Sequence, residues 1–371
     1  MYRRIGEVDA PKVSPVYGRI AIALSESEAA LRVIETAPPR KRTPTIILAA
    51  LHDLALAGQA PALAQAFADS RANAIAGDHR GYVAGPADPR QPAAQSLQDV
   101  GAVAAEVVLG SWELVLERAV ARKLRADEGG RHAVLHPAVA EVARRVGARA
   151  VGLIDVGRSA GLNLTVDRAG ISYSNGQALG DASSAVQVSA SVVGGGSVPA
   201  VVMPEVSARV VVDVDPVDVT DAEEARWLRA CVPPDQVERL ARLEAELELA
   251  AADPPLLVRG DLVEVLPEAI ARVPDDVLPV VITTWALSGL GLEDRLRFLQ
   301  RLDEAATRRP VAWVSVEGVG VAPGVPTFGD RRASGHSIIG LGVFEHASMH
   351  AGAVGRCWLR GEMLAWLAEH S

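Results

Sequence analysis

Small residues recur at every second position between Gly157 and Gly161, directly after an apolar run that ends in an acid. The run covers residues 151–156 and carries Asp155, and Ser159 is the middle small residue. Small residues let the backbone turn sharply and let a ligand approach the chain closely. Free N–H groups at the start of a helix favour anionic or electron-rich ligand groups. The pattern therefore predicts a strand, a tight turn and a helix start that together form a binding site.

Three interpretations of this turn remain open on the residues alone. The first is a nucleotide-type site in a doubly wound sheet, of the kind that holds S-adenosylmethionine. The second is a nucleophile elbow, because residues 157–161 (GRSAG) match G-x-S-x-G and place Ser159 at its centre. The third is a strand–helix turn whose small residues serve packing only.

Acids follow four of the five strands that the chain predicts from residue 151 onward. The predicted strands are residues 151–156, 206–212, 256–259, 279–283 and 311–316. The residues at their ends are Asp155, Asp213 with Asp215, Asp261, Thr284 with Trp285, and Glu317. Ligands of parallel α/β sheets bind at the carboxyl ends of the strands. These side chains are therefore predicted to face one site.

The elements that must position these residues alternate between strand and helix. Five such units with right-handed crossovers predict an α/β fold with a doubly wound, Rossmann-like and mostly parallel sheet. Residues 186–193 alternate apolar and polar side chains, which predicts a β-hairpin insert at about 170–205. Residues 337–344 and 355–359 predict an antiparallel C-terminal edge, and residues 362–368 a short closing helix.

Residues 1–148 carry Ala, Leu and Val at helical spacing between Pro- and Gly-bearing breaks. This predicts a helical cap or lid domain at 1–148, followed by the Rossmann-like domain at 149–371. The polar segment 122–136 is either a solvated helix end with a Gly-Gly C-cap or a loop that closes over the turn. In the second case Glu128 and Arg131 face the ligand.

Composition excludes several classes of function. The net charge is −9 and no basic stripe occurs, so nucleic acid is not expected as a partner. Two distant cysteines, Cys231 and Cys357, fit a reducing compartment and argue against a disulfide framework. The N-terminus has no apolar signal core, and the apolar segment 45–57 is too short to span a bilayer. These features predict a cytoplasmic protein without membrane contact, and they are compatible with a homodimer.

The run from Asp155 to Asn163 (DVGRSAGLN) resembles motif I of class I S-adenosylmethionine-dependent methyltransferases, D/E-x-G-x-G-x-G, with Ser159 at the middle glycine. The resemblance implies S-adenosylmethionine as cofactor and S-adenosylhomocysteine as product. The cofactor-binding residues that it implies are Asp155, Gly157, Ser159, Gly161 and Asn163, with Asp213 or Asp215 at the ribose and Asp261 at the adenine.

More narrowly, the chain is similar to DUF2332, an uncharacterised bacterial family common in actinobacteria. The resemblance lies in residues 156–164 (VGRSAGLNL) and 213–221 (DVDPVDVTD). Relatives tend to carry a histidine near the end of the fourth strand and another near the C-terminal hairpin. This chain has Thr284-Trp285 at the first place and Leu359-Arg360 at the second.

The preferred hypothesis is a methyltransferase acting on a small-molecule acceptor, with Glu128, Arg131, Thr284 and Trp285 as candidates near the reacting groups. One alternative is a serine hydrolase in which Ser159 is the nucleophile. Its base would be His336, His346 or His350, oriented by Asp261 or Glu317. Another is a non-catalytic binding or scaffold protein on the same fold. His346 and His350 are spaced for a metal, but no third ligand is evident, so no metal is expected.

Overall fold

The computed structural model describes residues 1–78, 92–125 and 129–368. The chain divides into two compact units. The helical unit comprises Met1–Asp127 and Asp221–Glu244, and the sheet unit comprises Glu128–Thr220 and Ala245–Ser371. This division differs from a boundary at residue 148 in two ways. The helix His132–Val146 belongs to the sheet unit, and the segment 221–244 returns to the helical unit.

The helical unit is built from helices that pack around one apolar core. Its helices are α1 (Tyr2–Arg4), α2 (Pro15–Glu26), α3 (Glu28–Glu35), α4 (Pro44–Leu56), α5 (Pro61–Asp78), α6 (Pro92–Gly110), α7 (Trp112–Ala121) and α9 (Ala222–Ala230). Ser14 caps α2 by accepting a hydrogen bond from the Tyr17 N–H, and Pro15 follows at the first helical position. Asp221 caps α9 in the same way. α4 is buried nearly all round, which explains its apolar sequence.

The sheet unit contains one mixed sheet of eleven strands. The strands are β1 (Ala150–Val156), β2 (Gly170–Tyr173), β3 (Ala178–Gly180), β4 (Gln187–Val192), β5 (Glu205–Asp213), β6 (Leu256–Arg259), β7 (Leu278–Thr284), β8 (Val311–Gly318), β9 (Ser337–Glu345), β10 (Ser348–Trp358) and β11 (Met363–Trp366). Their order is β3-β2-β4-β11-β10-β9-β8-β7-β1-β5-β6. The five strands predicted to be parallel, β1, β5, β6, β7 and β8, pair in parallel.

Helices cover both faces of the parallel strands. The remaining helices are α8 (His132–Val146), α10 (Val237–Ala252), α11 (Leu266–Ala271) and α12 (Leu292–Ala305). α8 packs on β8 and β9 and forms one apolar core with Leu153 and Ile282. α11 and α12 form the other core with Ile154 and Trp313. Alternate residues of β1 therefore enter opposite cores, so the strand is buried on both faces and reads as a continuous apolar run.

The C-terminal region differs from the prediction. The hairpin β9–β10 is antiparallel, but it lies inside the sheet rather than at its edge. Residues 363–366 form strand β11 rather than a helix, because they pair with β10 on one side and with β4 on the other. The insert contains the hairpin β2–β3, and β4 then pairs in parallel with β2. Cross-strand pairing therefore overrides the short apolar pattern that suggested a closing helix.

No single helix within the described residues is long and apolar enough to cross a membrane. One pair, Pro44–Leu56 with Pro61–Ala72, meets the requirement together by length and composition, with a 100° bend at its break.

Candidate ligand site at the carboxyl ends of the parallel strands

The glycine-bearing turn follows β1 directly. Its backbone conformation and its close packing both require glycine at two positions. Gly157 has φ +74° and a Cβ there would lie 2.8 Å from Ala286 Cβ. Gly161 has φ +62° and a Cβ there would lie 2.4 Å from Val211 Cγ2. Both positions exclude a side chain sterically. The helix start that the pattern predicted is a 3₁₀-helix, Leu162–Arg168.

Asp155 and Asn163 meet beneath this turn. Asp155 is the penultimate residue of β1 and is fully buried. Asn163 Nδ2 donates to Asp155 Oδ2 at 3.0 Å and lies 3.4 Å from Thr284 Oγ1 at the end of β7. The Asn163 Oδ1 atom is buried and has no hydrogen-bond partner among the described residues. The structure thus brings three of the sequence candidates together at the ends of β1 and β7.

Arg158 crosses between the ends of these two strands. Its Nε donates to the Thr284 carbonyl oxygen at 2.8 Å, and its Nη2 donates to the same oxygen. β1 and β7 are neighbours in the sheet. From β1 the parallel strands continue outward in one direction to β5 and β6, and from β7 they continue in the opposite direction to β8. The strand order therefore reverses at the β1–β7 boundary, where doubly wound sheets bind ligands. The arginine places its positive charge at this switch point.

Glu317, at the end of β8, is a buried carboxyl group close to the same place. Its Oε1 accepts hydrogen bonds from the N–H groups of Ala286 at 3.0 Å and Leu287 at 3.1 Å. Its Oε2 is buried without a hydrogen-bond partner among the described residues. Burial raises the pKa of Glu317 to about 7, although the two N–H groups and the charge of Arg158 act to lower it. The sequence identified Glu317 as an acid at a strand end and as a group that could orient a histidine base, but not as a carboxyl group with a raised pKa.

Trp285 follows β7 in a left-handed conformation with φ 55°. Its Nε1 donates to Ser337 Oγ at 2.7 Å, and the guanidinium carbon of Arg131 lies 5.1 Å from the centroid of its ring. Such a geometry is typical of a cation–π contact. Two candidates that lie far apart in the sequence, Arg131 and Trp285, are therefore in contact. Glu128 lies outside the described residues.

The acids after β5 and β6 have local partners. Asp213 Oδ1 accepts from the Asp215 N–H at 2.8 Å, and Asp213 remains half-buried at the end of β5. Asp215 Oδ1 pairs with Arg259 Nη1 at 3.0 Å. Asp261 is exposed, and its Oδ1 accepts from the N–H groups of residues 263 and 264. One carboxylate oxygen of Asp213 and one of Asp261 therefore stabilise the local turn, in the manner typical of Asx turns, whereas Asp215 forms an ion pair with Arg259.

The structure gives Ser159 surroundings unlike those of an exposed nucleophile. Ser159 is 2 % exposed, and its carbonyl oxygen accepts from the Val217 N–H. Among the histidines proposed as bases, His336 Nε2 lies 2.9 Å from Asp330 Oδ2, in the loop between β8 and β9. The other two, His346 and His350, lie in the hairpin β9–β10. Within the described ranges, no group of three or more His, Cys, Asp or Glu side chains is arranged to hold a metal.

A buried pair that the sequence did not reveal supports the 3₁₀-helix. His132 Nε2 lies 3.2 Å from both the Leu162 carbonyl oxygen and Thr165 Oγ1. Its Nδ1 lies 3.7 Å from Glu246 Oε1, and both side chains are fully buried. A Cβ at Gly129 would lie 1.9 Å from Glu246 Oε2. The Gly-Gly sequence is therefore the feature of the sequence that could have indicated a buried group at this place. The glycine makes room for a carboxylate there.

Comparison of the chain with curated proteins and with solved structures gave no match. The model of a family described as an uncharacterized protein conserved in bacteria (DUF2332) matches residues 1–366. The match includes the glycine-bearing turn and the stretch from Asp213 to Asp221 on which the resemblance was based. The chain therefore belongs to the bacterial family DUF2332.

Proposed function

We propose that this protein is a methyltransferase that binds S-adenosylmethionine at the switch point between β1 and β7 and methylates a small-molecule acceptor. The strand order carries the proposal. The order β6-β5-β1-β7-β8 is 3-2-1-4-5 in chain order of the parallel strands, as in doubly wound nucleotide-binding sheets. Asp155 and its glycine-bearing turn then stand at the central strand, where such sheets hold their ligand.

The residues present fit such a ligand in three respects. Asn163 Oδ1 is a buried acceptor without a partner among the described residues, so it is suited to a ligand N–H or O–H group. Asp213 is half-buried at the end of β5 and suits a ribose hydroxyl pair. The charge of Arg158 at the turn suits the carboxylate of the methionyl group. When bound, S-adenosylmethionine supplies an electrophilic methyl group on a sulfonium ion.

The protein's own residues position the methyl donor and the acceptor and take up the proton that the acceptor loses. Methyl transfer depends mainly on an open line between donor and acceptor in a fixed geometry. Asp155, held by Asn163, fixes the end of β1, and Arg158 ties the turn to Thr284. Glu317, with its pKa raised to about 7, is able to take up the proton that an acceptor loses.

The test is calorimetric titration with S-adenosylmethionine and S-adenosylhomocysteine. The wild type should bind saturably, and the double variant Asp213→Ala/Asp215→Ala should bind at least about tenfold more weakly because it loses charge-assisted hydrogen bonds. The matched control is Asp275→Ala/Asp276→Ala, which removes two exposed carboxylates elsewhere in the sheet unit. Absence of binding to folded wild-type protein would overturn the proposal.

A serine hydrolase is the competing function from the sequence, and the burial of Ser159 does not favour it. Its test is a fluorophosphonate probe. Labelling of the wild type that Ser159→Ala abolishes would support the hydrolase and count against the methyltransferase. Saturable cofactor binding without turnover on any acceptor would instead support a binding protein on the same fold.

A further inference from the structure

The helical unit contains a cavity of about 520 Å³ that the proposed function does not use. Its wall is formed by the N-terminal segment, α2, α4, the segments that follow α7 and α9, and the start of α10. The apolar lining includes Ile5, Ala10, Val13, Leu48, Ala49 and Pro233. Cavities of this size with mostly apolar walls and a few polar groups are typical of small-molecule sites.

Two polar groups on the wall are held in their neutral forms. The hydroxyl of Tyr17 reaches the Leu48 carbonyl oxygen only at 3.5 Å, the far limit of a hydrogen bond. Burial, reinforced by Cys231 and Asp235, raises the pKa of Tyr17 well above its usual value. Burial also raises the pKa of the Cys231 thiol to about 11. Tyr17 therefore presents a phenolic O–H donor that its internal acceptor satisfies poorly.

The charged groups on the wall are mainly positive. Arg125 and Arg239 both line the cavity, and Asp9 is the one carboxylate among its described lining residues. The nearby carboxylate of Asp235 is engaged otherwise. It accepts from Ser14 Oγ at 2.6 Å and from the Val16 N–H at 3.1 Å, which anchors the start of α2.

We propose that this cavity is a second binding site, which takes a small molecule with an apolar body and a carboxylate head. The apolar body lies against α4 and the N-terminal segment. The head lies against the polar lining residues Tyr17, Arg125 and Arg239, whose phenolic O–H and guanidinium groups donate to it. The site belongs to the helical unit alone, so it stands or falls independently of cofactor binding by the sheet unit.

Octanoate is the probe, titrated calorimetrically into the full-length protein, with octanamide as the uncharged ligand of equal chain length. Octanoate should bind saturably at one site, and octanamide about tenfold more weakly, because charge-assisted hydrogen bonds are lost. Tyr17→Phe and Arg239→Gln should each weaken octanoate binding about five- to tenfold. Arg40→Gln, an exposed arginine outside the cavity, is the matched control and should leave binding unchanged.

A cavity-filling variant tests the position of the apolar body. Ala49→Leu should reduce octanoate binding without changing the far-ultraviolet circular dichroism. If this buried substitution prevents folding, Tyr17→Phe and Arg239→Gln decide the question, because they remove single polar groups. Absence of saturable octanoate binding, equal binding of octanamide, or unchanged binding in both polar variants would overturn the proposal.

Discussion

At the scale of single residues, the glycine-bearing turn shows how one local pattern serves two purposes. Gly157 and Gly161 have positive φ angles and lie against Ala286 and Val211. The same close packing brings the turn near Thr284, and Arg158 donates a hydrogen bond to the Thr284 carbonyl oxygen. Packing and ligand binding are therefore not exclusive explanations, because a turn that is sterically fixed is also a rigid platform for a site.

Comparison of Gly161→Ala with Gly176→Ala separates two contributions to the loss of stability: the cost of a left-handed backbone and the cost of steric overlap. A left-handed alanine costs about 1–2 kcal/mol, and overlap with Val211 in a packed core adds about 1–3 kcal/mol. Gly176→Ala is the matched control, because its φ is +87° but nothing lies within 4 Å of an added Cβ. In urea unfolding, Gly161→Ala should be clearly the less stable variant. Equal losses of stability would show that the turn relaxes around the added methyl group.

Glu317 makes stability depend on pH in a defined direction. Its pKa rises from 4.5 to about 7 on folding, so the folded state binds more protons than the unfolded state between these values. Stability from this group is present below pH 4.5 and is lost as the pH rises through 7, by at most about 3 kcal/mol. Glu317→Gln should therefore lose less stability than the wild type between pH 4.5 and 7.5 in urea unfolding.

The comparison with the variant is needed because two histidines act in the opposite sense. Burial lowers the pKa values of His52 and His136 to about 4, so their contribution is lost as the pH falls below 6.5. Both histidines are present in the wild type and in Glu317→Gln, so their contributions cancel when the stabilities of the two proteins are subtracted at each pH. Parallel pH profiles for wild type and Glu317→Gln would contradict the assignment of a raised pKa to Glu317.

At the scale of elements, a buried arginine joins the 3₁₀-helix after the turn to β5. Arg209 is 7 % exposed, and its Nη1 and Nη2 donate to the two carboxylate oxygens of Asp167 at 2.9 and 2.8 Å. Its Nε donates to Asp253 at 3.0 Å, and Nη1 also reaches the Leu164 carbonyl oxygen. This planar fork holds the 3₁₀-helix in place beside the candidate site, and a lysine cannot reproduce it.

Arg209→Lys should therefore destabilise the protein by about 1–3 kcal/mol, since a lysine keeps the charge but cannot make the bidentate fork and leaves buried acceptors without donors. Arg272→Lys is the control, because Arg272 and Glu268 form an exposed pair on one helix. Exposed pairs contribute about 0–1 kcal/mol. Urea unfolding at two salt concentrations measures the loss of stability in each of the two variants. A loss of less than about 1 kcal/mol in Arg209→Lys would mean that the fork does not hold the element.

At the scale of the whole molecule, the division into units assigns α8 to the sheet unit. Residues of α8 such as Leu135, Val139 and Val142 are fully buried in the core on one face of the sheet. A fragment that begins at residue 149 would expose this face to water, although the sequence suggested a boundary there. A fragment that begins at residue 129 keeps the helix.

Fragment 129–371 should thus unfold more cooperatively, and at higher urea concentration, than fragment 149–371. Both fragments carry the segment 221–244, so the difference between them reports on residues 129–148, which contain α8. The readouts are circular dichroism during urea unfolding and binding of a dye that reports exposed apolar surface. If the two fragments unfold identically, α8 does not complete the core of the sheet unit.

The sequence by itself determined the local features of this protein. The five parallel strands were predicted close to their observed positions, because buried strands in such sheets read as short apolar runs between turn signals. The positive φ angles of Gly157 and Gly161 follow from turn chemistry, which is also local. Membership of DUF2332 rests on the match of the family model to residues 1–366, which is likewise a property of the sequence alone.

Only the tertiary structure decided which groups share space. Asp155 meets Asn163 and Thr284, and His132 meets Glu246, across separations that no periodicity encodes. Residues 363–366 form a strand because β4 and β10 flank them, although four apolar residues fit a helix equally well. The raised pKa of Glu317 likewise depends on burial by distant elements. Pairing, burial and electrostatic environment are non-local, and for that reason they became visible only in the folded chain.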